Sequence, residues 1–298
     1  MKITHVARGR KRLTALAAVV AATGLLTTAG LAAAAPARAG TASARTASAR
    51  IASAGTTQAR SPKPSIVLVE GDFSGASNWD AVVINLQRDG YTVYAPPIPL
   101  QGLPSDSAYL TDFLHSISGP IVLVGHSYGG AVITNAATGD GQVKALVYVD
   151  AFLPAQGETL EGLLSVVPGT CAVPANLVAV PFPGATSGVT EDYVKPSAFG
   201  SCLANGLPAS LVRVLAATQQ PASSIQFSQK SGVPAWKTIP SWAVFGSADH
   251  TIPPAELLAM ARRAHARITI IPGAPHLSLV ADPGIVTGVI LQAVHATT

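Results

Sequence analysis

The sequence predicts an α/β fold in which a mostly parallel central sheet is flanked by helices and carries a cap insertion. From residue 65 onward, short apolar runs rich in β-branched residues alternate with amphipathic segments. This alternation is typical of parallel strands that are covered by helices on both faces. A Pro-, Gly- and Ser-rich stretch at about 153–238 interrupts the alternation. Because ligands bind at the carboxyl edge of such sheets, we expect this stretch to form a cap over that edge.

Six short apolar runs are the candidate strands, and five amphipathic segments are the candidate helices. The strands are expected at residues 65–70, 91–95, 121–125, 144–150, 241–246 and 268–271. The helices are expected at residues 78–89, 105–117, 128–137, 254–265 and 283–295. Pro96 and Pro97 end the second strand, and Ser105 is the expected N-cap of the second helix.

Residues 1–39 have the pattern of a secretory signal peptide. A basic segment at 1–12 precedes an uncharged stretch at 13–35, and small residues at 37 and 39 suit a cleavage site. A permanent membrane anchor is the alternative, because the uncharged stretch is long enough to span a bilayer. Residues 40–64 have little apolar surface to bury, so we expect a disordered spacer before a folded domain at 65–298. The expected product is a secreted protein that keeps no stable membrane anchor.

The net charge of +4 comes from the leader and spacer rather than from the expected domain. Residues 1–60 hold nine of the 19 basic residues and none of the 15 acidic ones, which leaves a net charge of −5 on the remainder. A domain that binds nucleic acid needs a basic surface, so nucleic acid is not an expected partner. The spacings of His, Cys and Asp match no metal-ligand set, so we expect no metal site.

The two cysteines, Cys171 and Cys202, both lie in the expected cap. Because an exported protein meets an oxidising compartment, the pair predicts a disulfide. The bond would close a loop of about 30 residues and add roughly 3 kcal/mol to the free energy of unfolding.

Residues 125–129 read G-H-S-Y-G, a G-x-S-x-G pattern between the third strand and the third helix. The pattern predicts a nucleophile elbow, a tight turn that holds the Ser127 hydroxyl out at the top of the sheet. Small residues at 125 and 129 let the strand and the helix approach closely, and the N-terminus of the helix favours developing negative charge. Ser127 is therefore the candidate nucleophile, and a structural serine in the turn is the alternative.

A serine nucleophile needs a base, and the base needs an orienting carboxylate. Where the serine lies on such an elbow, the acid and then the histidine follow it along the chain. His276 lies between the last strand and the last helix and is the candidate base, with His250 as the alternative. Asp249 follows the strand at 241–246 and is the candidate acid, with Asp150 as the alternative after the preceding strand.

The negative charge that develops on the substrate needs two backbone N–H donors, which together form an oxyanion hole. The candidates are the N–H of Tyr128, directly after the nucleophile, and the N–H of Asp72, in the loop after the first strand. Phe73, Phe152 and Trp236 are candidates for lining a substrate pocket, although core packing explains them equally well.

Four strings in the sequence carry a family resemblance: GHSYGGAVI, LVYVDAF, PAWKTIPSW and a D-x-x-IPP loop, around Ser127, Asp150, Trp236 and Asp249. On these strings, residues 65–295 resemble the small α/β-hydrolase esterases, bacterial members in particular, that are related to plant methylesterases and hydroxynitrile lyases. The resemblance implies a hydrolase with a triad of Ser127, His276 and Asp249. It also implies a small-molecule ester as the substrate and no cofactor.

The loop after the first strand departs from the pattern that the resemblance implies. Members of that family usually have His-Gly-x-Phe there, whereas this chain has Glu70, Gly71, Asp72 and Phe73. An inward-pointing Asp72 carboxylate would repel the negatively charged intermediate. We therefore expect this side chain to point outward while its N–H points inward, which would retain activity.

The leading hypothesis is hydrolysis of a carboxylic ester through an acyl-Ser127 intermediate. One alternative is hydroxynitrile-lyase-like chemistry on the same triad, for which Lys195 or Lys237 could supply the cap lysine that the resemblance implies. A second alternative is a ligand-binding homologue without catalysis, which Glu70 and Asp72 suggest.

Overall fold

The structure is a computed structural model that describes residues 63–297. The predicted leader at 1–39 and nearly all of the predicted spacer at 40–64 lie outside the described residues.

The strands are β1 (Ser65–Val69), β2 (Val93–Tyr94), β3 (Ile121–His126), β4 (Val143–Val149), β5 (Leu177–Val180), β6 (Glu191–Val194), β7 (Ala222–Ser223), β8 (Ser241–Gly246) and β9 (Arg267–Ile271). The α-helices are α1 (Asp80–Arg88), α2 (Leu103–His115), α3 (Tyr128–Ala136), α4 (Leu160–Val166), α5 (Pro196–Cys202), α6 (Ala209–Ala217), α7 (Pro254–Arg263), α8 (Ser278–Ala281) and α9 (Pro283–Thr297). Within this range, none of the helices has the length and apolar character that a bilayer span requires.

Six strands form one parallel sheet in the order β2-β1-β3-β4-β8-β9. All six residues of β3 are buried, because helices cover both faces of the sheet. On one face the apolar core includes residues of α2, α3 and α7, and on the other it includes residues of α1 and α9. This arrangement confirms the fold class that the alternating pattern predicts.

Several element boundaries differ from the sequence prediction by one or two residues, those of the second strand and the second helix among them. The second strand is limited to Val93–Tyr94 at the edge of the sheet. Helix α2 begins at Leu103 and not at Ser105, because Gly102 is its N-cap and the Asp106 carboxylate accepts the N–H of Gly102 at 3.2 Å. The Ser105 hydroxyl donates to the carbonyl of Gly102 at 2.9 Å and does not cap the helix.

Between β4 and β8 the chain forms a separate layer, which we call the cap. It contains an antiparallel sheet of β5, β6 and β7, together with α4, α5 and α6. The Cys171–Cys202 disulfide predicted from the sequence is present and joins the loop after α4 to the end of α5, with a Cα–Cα distance of 5.5 Å. The cap contacts the main domain where the N–H of Ser223 donates to the carbonyl of Leu100 at 2.9 Å.

Close backbone contacts fix the position of α3 against the sheet. A Cβ atom added at Gly129 would lie 2.5 Å from the carbonyl oxygen of Glu70 and 2.7 Å from that of Val69. A Cβ atom added at Gly125 would lie 2.6 Å from the carbonyl oxygen of Gly129. Any side chain at these two positions would therefore push the helix away from β1 and β3.

We expect Gly129→Ala to lower the free energy of unfolding by about 1–3 kcal/mol or more, because the new methyl group overlaps rigid backbone atoms. The matched control is Gly288→Ala in α9, where an added Cβ meets nothing within 4 Å. Greater helix propensity should make that control more stable by up to about 1 kcal/mol. Urea unfolding measures both values, and a Gly129→Ala variant as stable as the control would contradict this account of the packing.

Candidate active site

Ser127 lies at the sharp turn between β3 and α3. Its φ of 52° and ψ of −122° are uncommon for a residue with a side chain, and such strain persists only where the surroundings enforce it. The N–H of Ser127 donates to the carbonyl of Val149 at 3.2 Å, and its carbonyl accepts the N–H groups of Gly130 and Phe152 at 3.0 and 3.1 Å. These bonds hold the turn to β4 and α3, and the serine as a whole is only 4% exposed.

Three side chains from separate loops form one hydrogen-bonded chain. The Nε2 atom of His276 lies 2.9 Å from the Oγ atom of Ser127, and its Nδ1 atom lies 2.7 Å from Oδ2 of Asp249. The other carboxyl oxygen of Asp249 accepts the N–H groups of Thr251 and Ile252 at 2.7 and 2.9 Å. The carboxyl group is therefore held in one orientation, and it fixes the imidazole against the hydroxyl. The structure thus brings together the three residues that the sequence predicts as a triad.

Burial shifts the pKa values of His276 and Asp249, the two ionisable groups of this hydrogen-bonded chain. The His276 and Asp249 side chains are completely buried. Burial lowers the pKa of the His276 imidazole to about 3, so it is neutral at neutral pH and can accept a proton. Burial also raises the pKa of Asp249, whereas the N–H groups of Ile252 and Thr251 lower it, and the Nδ1–H of His276 adds a third hydrogen bond that favours the ionised carboxylate.

The alternative acid and the alternative base lie elsewhere. The Asp150 carboxyl accepts the N–H of Gly246 at 2.7 Å and a hydrogen bond from the Ser278 hydroxyl. It therefore joins the end of β8 to the residues after His276, and Asp249 occupies the position against the imidazole. His250 is exposed, with its Nδ1 atom 2.9 Å from the carbonyl of Ser201.

The loop after β1 packs directly on the nucleophile turn. A Cβ atom added at Gly71 would lie 2.5 Å from the Cβ of Ser127 and 3.1 Å from the backbone nitrogen of Tyr128. This contact places the segment that carries Asp72, the next residue, against the turn that carries Tyr128. Within residues 63–297, no acceptor takes the N–H of Asp72. Both candidate oxyanion donors thus come from adjoining segments.

The Asp72 side chain corrects the expectation that it would point outward. Asp72 is only 5% exposed, and its Oδ1 atom accepts a hydrogen bond from Nε2 of Gln226 in the cap at 2.5 Å. Burial raises its pKa to about 8, so the group is largely uncharged at neutral pH. The repulsion expected from an inward carboxylate is therefore weak at that pH, although the side chain is buried.

The three candidate pocket residues lie in different places. Phe73 and Phe152 are buried, and each belongs to an apolar cluster of the core. Trp236 precedes β8, at the amino end of the strand, and donates from its indole N–H to the carbonyl of Pro154 at 3.1 Å. It lines a surface cavity of about 470 Å³ whose lining does not include Ser127. The structure therefore does not bring Trp236 to the triad.

Two further side chains, His126 and Gln226, belong to this region and were not predicted from the sequence. The Nε2 atom of His126 lies 3.1 Å from the carbonyl oxygen of His276, and the two rings lie 4.9 Å apart. Burial, together with His276, lowers the pKa of His126, so this ring too is neutral. Its place beside the serine in the G-x-S-x-G pattern was a usable signal, whereas nothing in the sequence connects Gln226 with Asp72.

The candidate cap lysines do not form part of the hydrogen-bonded chain. Lys195 is partly exposed, and its Nζ donates to the carbonyl of Ala175 at 2.7 Å. Lys237 is exposed and lines the same surface cavity as Trp236. In the part of the chain that the structure describes, no three His, Cys, Asp or Glu side chains are arranged to hold a metal ion.

Comparisons with known proteins agree with this fold. A family model described as the alpha/beta hydrolase family matches residues 66–287. Among solved structures, the chain resembles polyneuridine aldehyde esterase with a TM-score of 0.67 and 18% sequence identity, over 78% of this chain and 99% of that one. At this identity the likeness concerns the fold.

Two curated relatives extend the comparison. A carbendazim hydrolyzing esterase of Nocardioides sp. (strain SG-4G) is 32% identical over 113 residues, which are 34% of this chain and 47% of the relative. The chain thus matches only about half the length of that esterase. The alpha/beta hydrolase nvfD of Aspergillus novofumigatus (strain IBT 16806) is 27% identical over 228 residues, which are 70% of this chain and 87% of the relative.

The buried carboxyl of Glu70 makes the stability of the fold depend on pH. Its Oε1 atom accepts the N–H of Ile98 at 2.7 Å, while its buried Oε2 atom has no partner in the described part of the chain. Burial raises the pKa of Glu70 from 4.5 to about 7. The folded chain thus holds a proton that the unfolded chain releases, and stability from this group is lost as the pH rises from 4.5 to 7.

We expect Glu70→Gln, which cannot ionise, to gain stability relative to the wild type over that pH range. The gain in the free energy of unfolding should reach about 3 kcal/mol by pH 8. Urea unfolding at pH 4.5, 6 and 8 measures it, and Glu161→Gln, at an exposed position in α4, is the control. A constant difference between Glu70→Gln and the wild type at all three pH values would contradict the burial of a proton on Glu70.

Proposed function

The chain belongs to the α/β-hydrolase family, and we propose that it is an exported serine hydrolase that cleaves a small carboxylic ester through an acyl-Ser127 intermediate. The observation that carries this proposal is the hydrogen-bonded chain of Ser127, His276 and Asp249. The relatives named as esterases support ester hydrolysis in general, and the triad geometry supports the serine mechanism.

The first half of the reaction forms the acyl-enzyme. The Oγ atom of Ser127 attacks the ester carbonyl carbon while Nε2 of His276 takes its proton. The Asp249 carboxylate accepts the Nδ1–H of the imidazolium and so stabilises the charge that forms on the ring. The protonated His276 then gives its proton to the leaving alkoxide, and the alcohol departs as the C–O bond breaks.

The backbone stabilises the charge on the substrate in both halves of the reaction. In the tetrahedral intermediate the carbonyl oxygen is negative, and the N–H groups of Asp72 and Tyr128 donate to it. Water then attacks the acyl group with His276 again as the base. The carboxylic acid leaves as Ser127 recovers its proton. No cofactor takes part in these steps.

We expect a fluorophosphonate probe to react with the full chain, forming a bond between phosphorus and Oγ of Ser127 while fluoride leaves. Ser127→Ala should lose this label and all hydrolysis of short p-nitrophenyl esters. Asp249→Asn should lower kcat by roughly 10³–10⁴-fold, because the neutral amide favours the wrong imidazole tautomer. Peptide mass spectrometry locates the label, and initial rates give kcat.

Ser116→Ala is the matched control, because Ser116 is an exposed serine at the end of α2 and should retain both label and activity. An unlabelled wild-type chain with normal circular dichroism would refute the serine mechanism. Release of cyanide from a cyanohydrin without acyl-enzyme formation would instead favour the lyase alternative.

Export is a separate part of the proposal. Its support is the signal-peptide pattern at 1–39 and the disulfide between Cys171 and Cys202, which suits an oxidising compartment. We expect N-terminal sequencing of protein from the culture medium to begin at Gly40. Material that is retained in the membrane and still carries residues 13–35 would support the anchor alternative and contradict export.

A further inference from the structure

The contact between Asp72 and Gln226 is unusual because it pairs a carboxyl group with an amide where both side chains are buried. Gln226 lies in the short 3-10 helix Ser224–Phe227 of the cap and is completely buried. Its Nε2 atom donates to Oδ1 of Asp72 at 2.5 Å, which joins the cap to the loop after β1. The backbone N–H of the same Asp72 is the proposed oxyanion donor. One residue therefore connects the cap with the site where negative charge develops.

The surroundings of this contact are rich in acceptors. The Oε1 atom of Gln226 is buried and has no hydrogen-bond donor within the described residues. The ionisable groups that face Asp72 are Asp106 from α2, Asp192 from β6 and Tyr128 from α3, and the Tyr128 hydroxyl already donates to Asp106 at 2.7 Å. An ionised Asp72 would add another acceptor and another negative charge to this group.

We propose that Asp72 is a positioning residue of the oxyanion hole that works as a neutral carboxylic acid, paired with the Gln226 amide of the cap. This inference rests on the proposed function. In the pair, the Gln226 N–H donates to one carboxyl oxygen of Asp72, and the Asp72 O–H donates to the Gln226 carbonyl oxygen. The proton of the acid thus supplies the donor that Oε1 of Gln226 otherwise lacks.

Ionisation of Asp72 would weaken the site in two ways. Loss of the proton to solvent removes the bond to the Gln226 carbonyl, which loosens the loop that carries the oxyanion donor. It also places a negative charge on the residue whose N–H must stabilise the oxyanion, in a buried region where charges are poorly screened. Because burial raises the pKa of Asp72 to about 8, both effects begin at mildly alkaline pH.

The consequence is a fall in kcat/KM as the pH rises through about 8. His276 does not produce such a fall, because it is neutral over this whole range and remains a competent base. The test is kcat/KM for a short p-nitrophenyl ester between pH 6 and pH 10, with the rate of Ser127→Ala subtracted as background at each pH.

In the wild type we expect kcat/KM to fall by about tenfold or more from pH 8 to pH 10. In Asp72→Asn, where the side chain cannot ionise, the ratio of the two values should stay within about twofold. Glu256→Gln is the control, because Glu256 is a buried carboxyl on α7 whose charged neighbours are Arg263 and Glu158. It should keep the alkaline fall of the wild type.

Gln226→Leu separates positioning from simple structural support. Gln226→Leu removes both hydrogen bonds of the pair, the N–H that favours the ionised acid and the carbonyl that favours the neutral one, so the alkaline fall should move to another pH. It should also lower kcat by about tenfold, because the oxyanion loop loses its tie to the cap. A variant that only destabilised the fold would lower the amount of active enzyme without moving the pH of the fall.

Two outcomes would overturn the inference: a wild-type profile that stays level or rises to pH 10, or an Asp72→Asn profile with an unchanged alkaline fall. Failure of the proposed function is a different result. In that case the fluorophosphonate probe would leave Ser127 unlabelled at every pH. If Ser127 is labelled and the ester is hydrolysed, but kcat/KM stays level up to pH 10, only the proposed role of Asp72 is refuted.

Discussion

The hydrogen-bonded chain through His276 is the interaction on which the rest of the site depends. One imidazole must contact a hydroxyl at 2.9 Å with one nitrogen and a carboxyl at 2.7 Å with the other. The three residues follow β3, β8 and β9, so they meet only because parallel strands end at one edge of the sheet. The parallel order of the strands is thus a requirement of the chemistry as well as of the core.

Packing around this edge limits the freedom of each loop. Glycines at 125 and 129 let α3 lie against the sheet, and the strained turn at Ser127 follows from that closeness. The buried carboxyl of Asp150 connects Gly246, three residues before Asp249, with Ser278, two residues after His276. The positions of the acid and the base are therefore coupled through a third buried group, which is costly to charge and is held by hydrogen bonds.

The sequence was sufficient for the sheet, the sharp turn at Ser127 and the meeting of Ser127, His276 and Asp249, because each has a local signal: β-branched runs, G-x-S-x-G, and polar residues at strand ends. It was insufficient for contacts between segments distant along the chain. The bond from Gln226 to Asp72 spans 154 residues and follows from how the cap folds, which composition does not reveal. For the same reason the outward orientation expected for Asp72 was wrong. Trp236 was misplaced because an aromatic residue in an insertion has no signal for which edge of the sheet it will meet.

A crystal structure of the full chain after reaction with diethyl p-nitrophenyl phosphate would show whether Ser127, His276 and the two backbone N–H groups act on one substrate group. We expect phosphorus bonded to Oγ of Ser127 and an imidazole of His276 that still contacts Asp249. We also expect a phosphoryl oxygen about 2.7–3.1 Å from the backbone nitrogens of Asp72 and Tyr128. Phosphorus on another residue, or a phosphoryl oxygen that faces away from both nitrogens, would contradict the proposed mechanism.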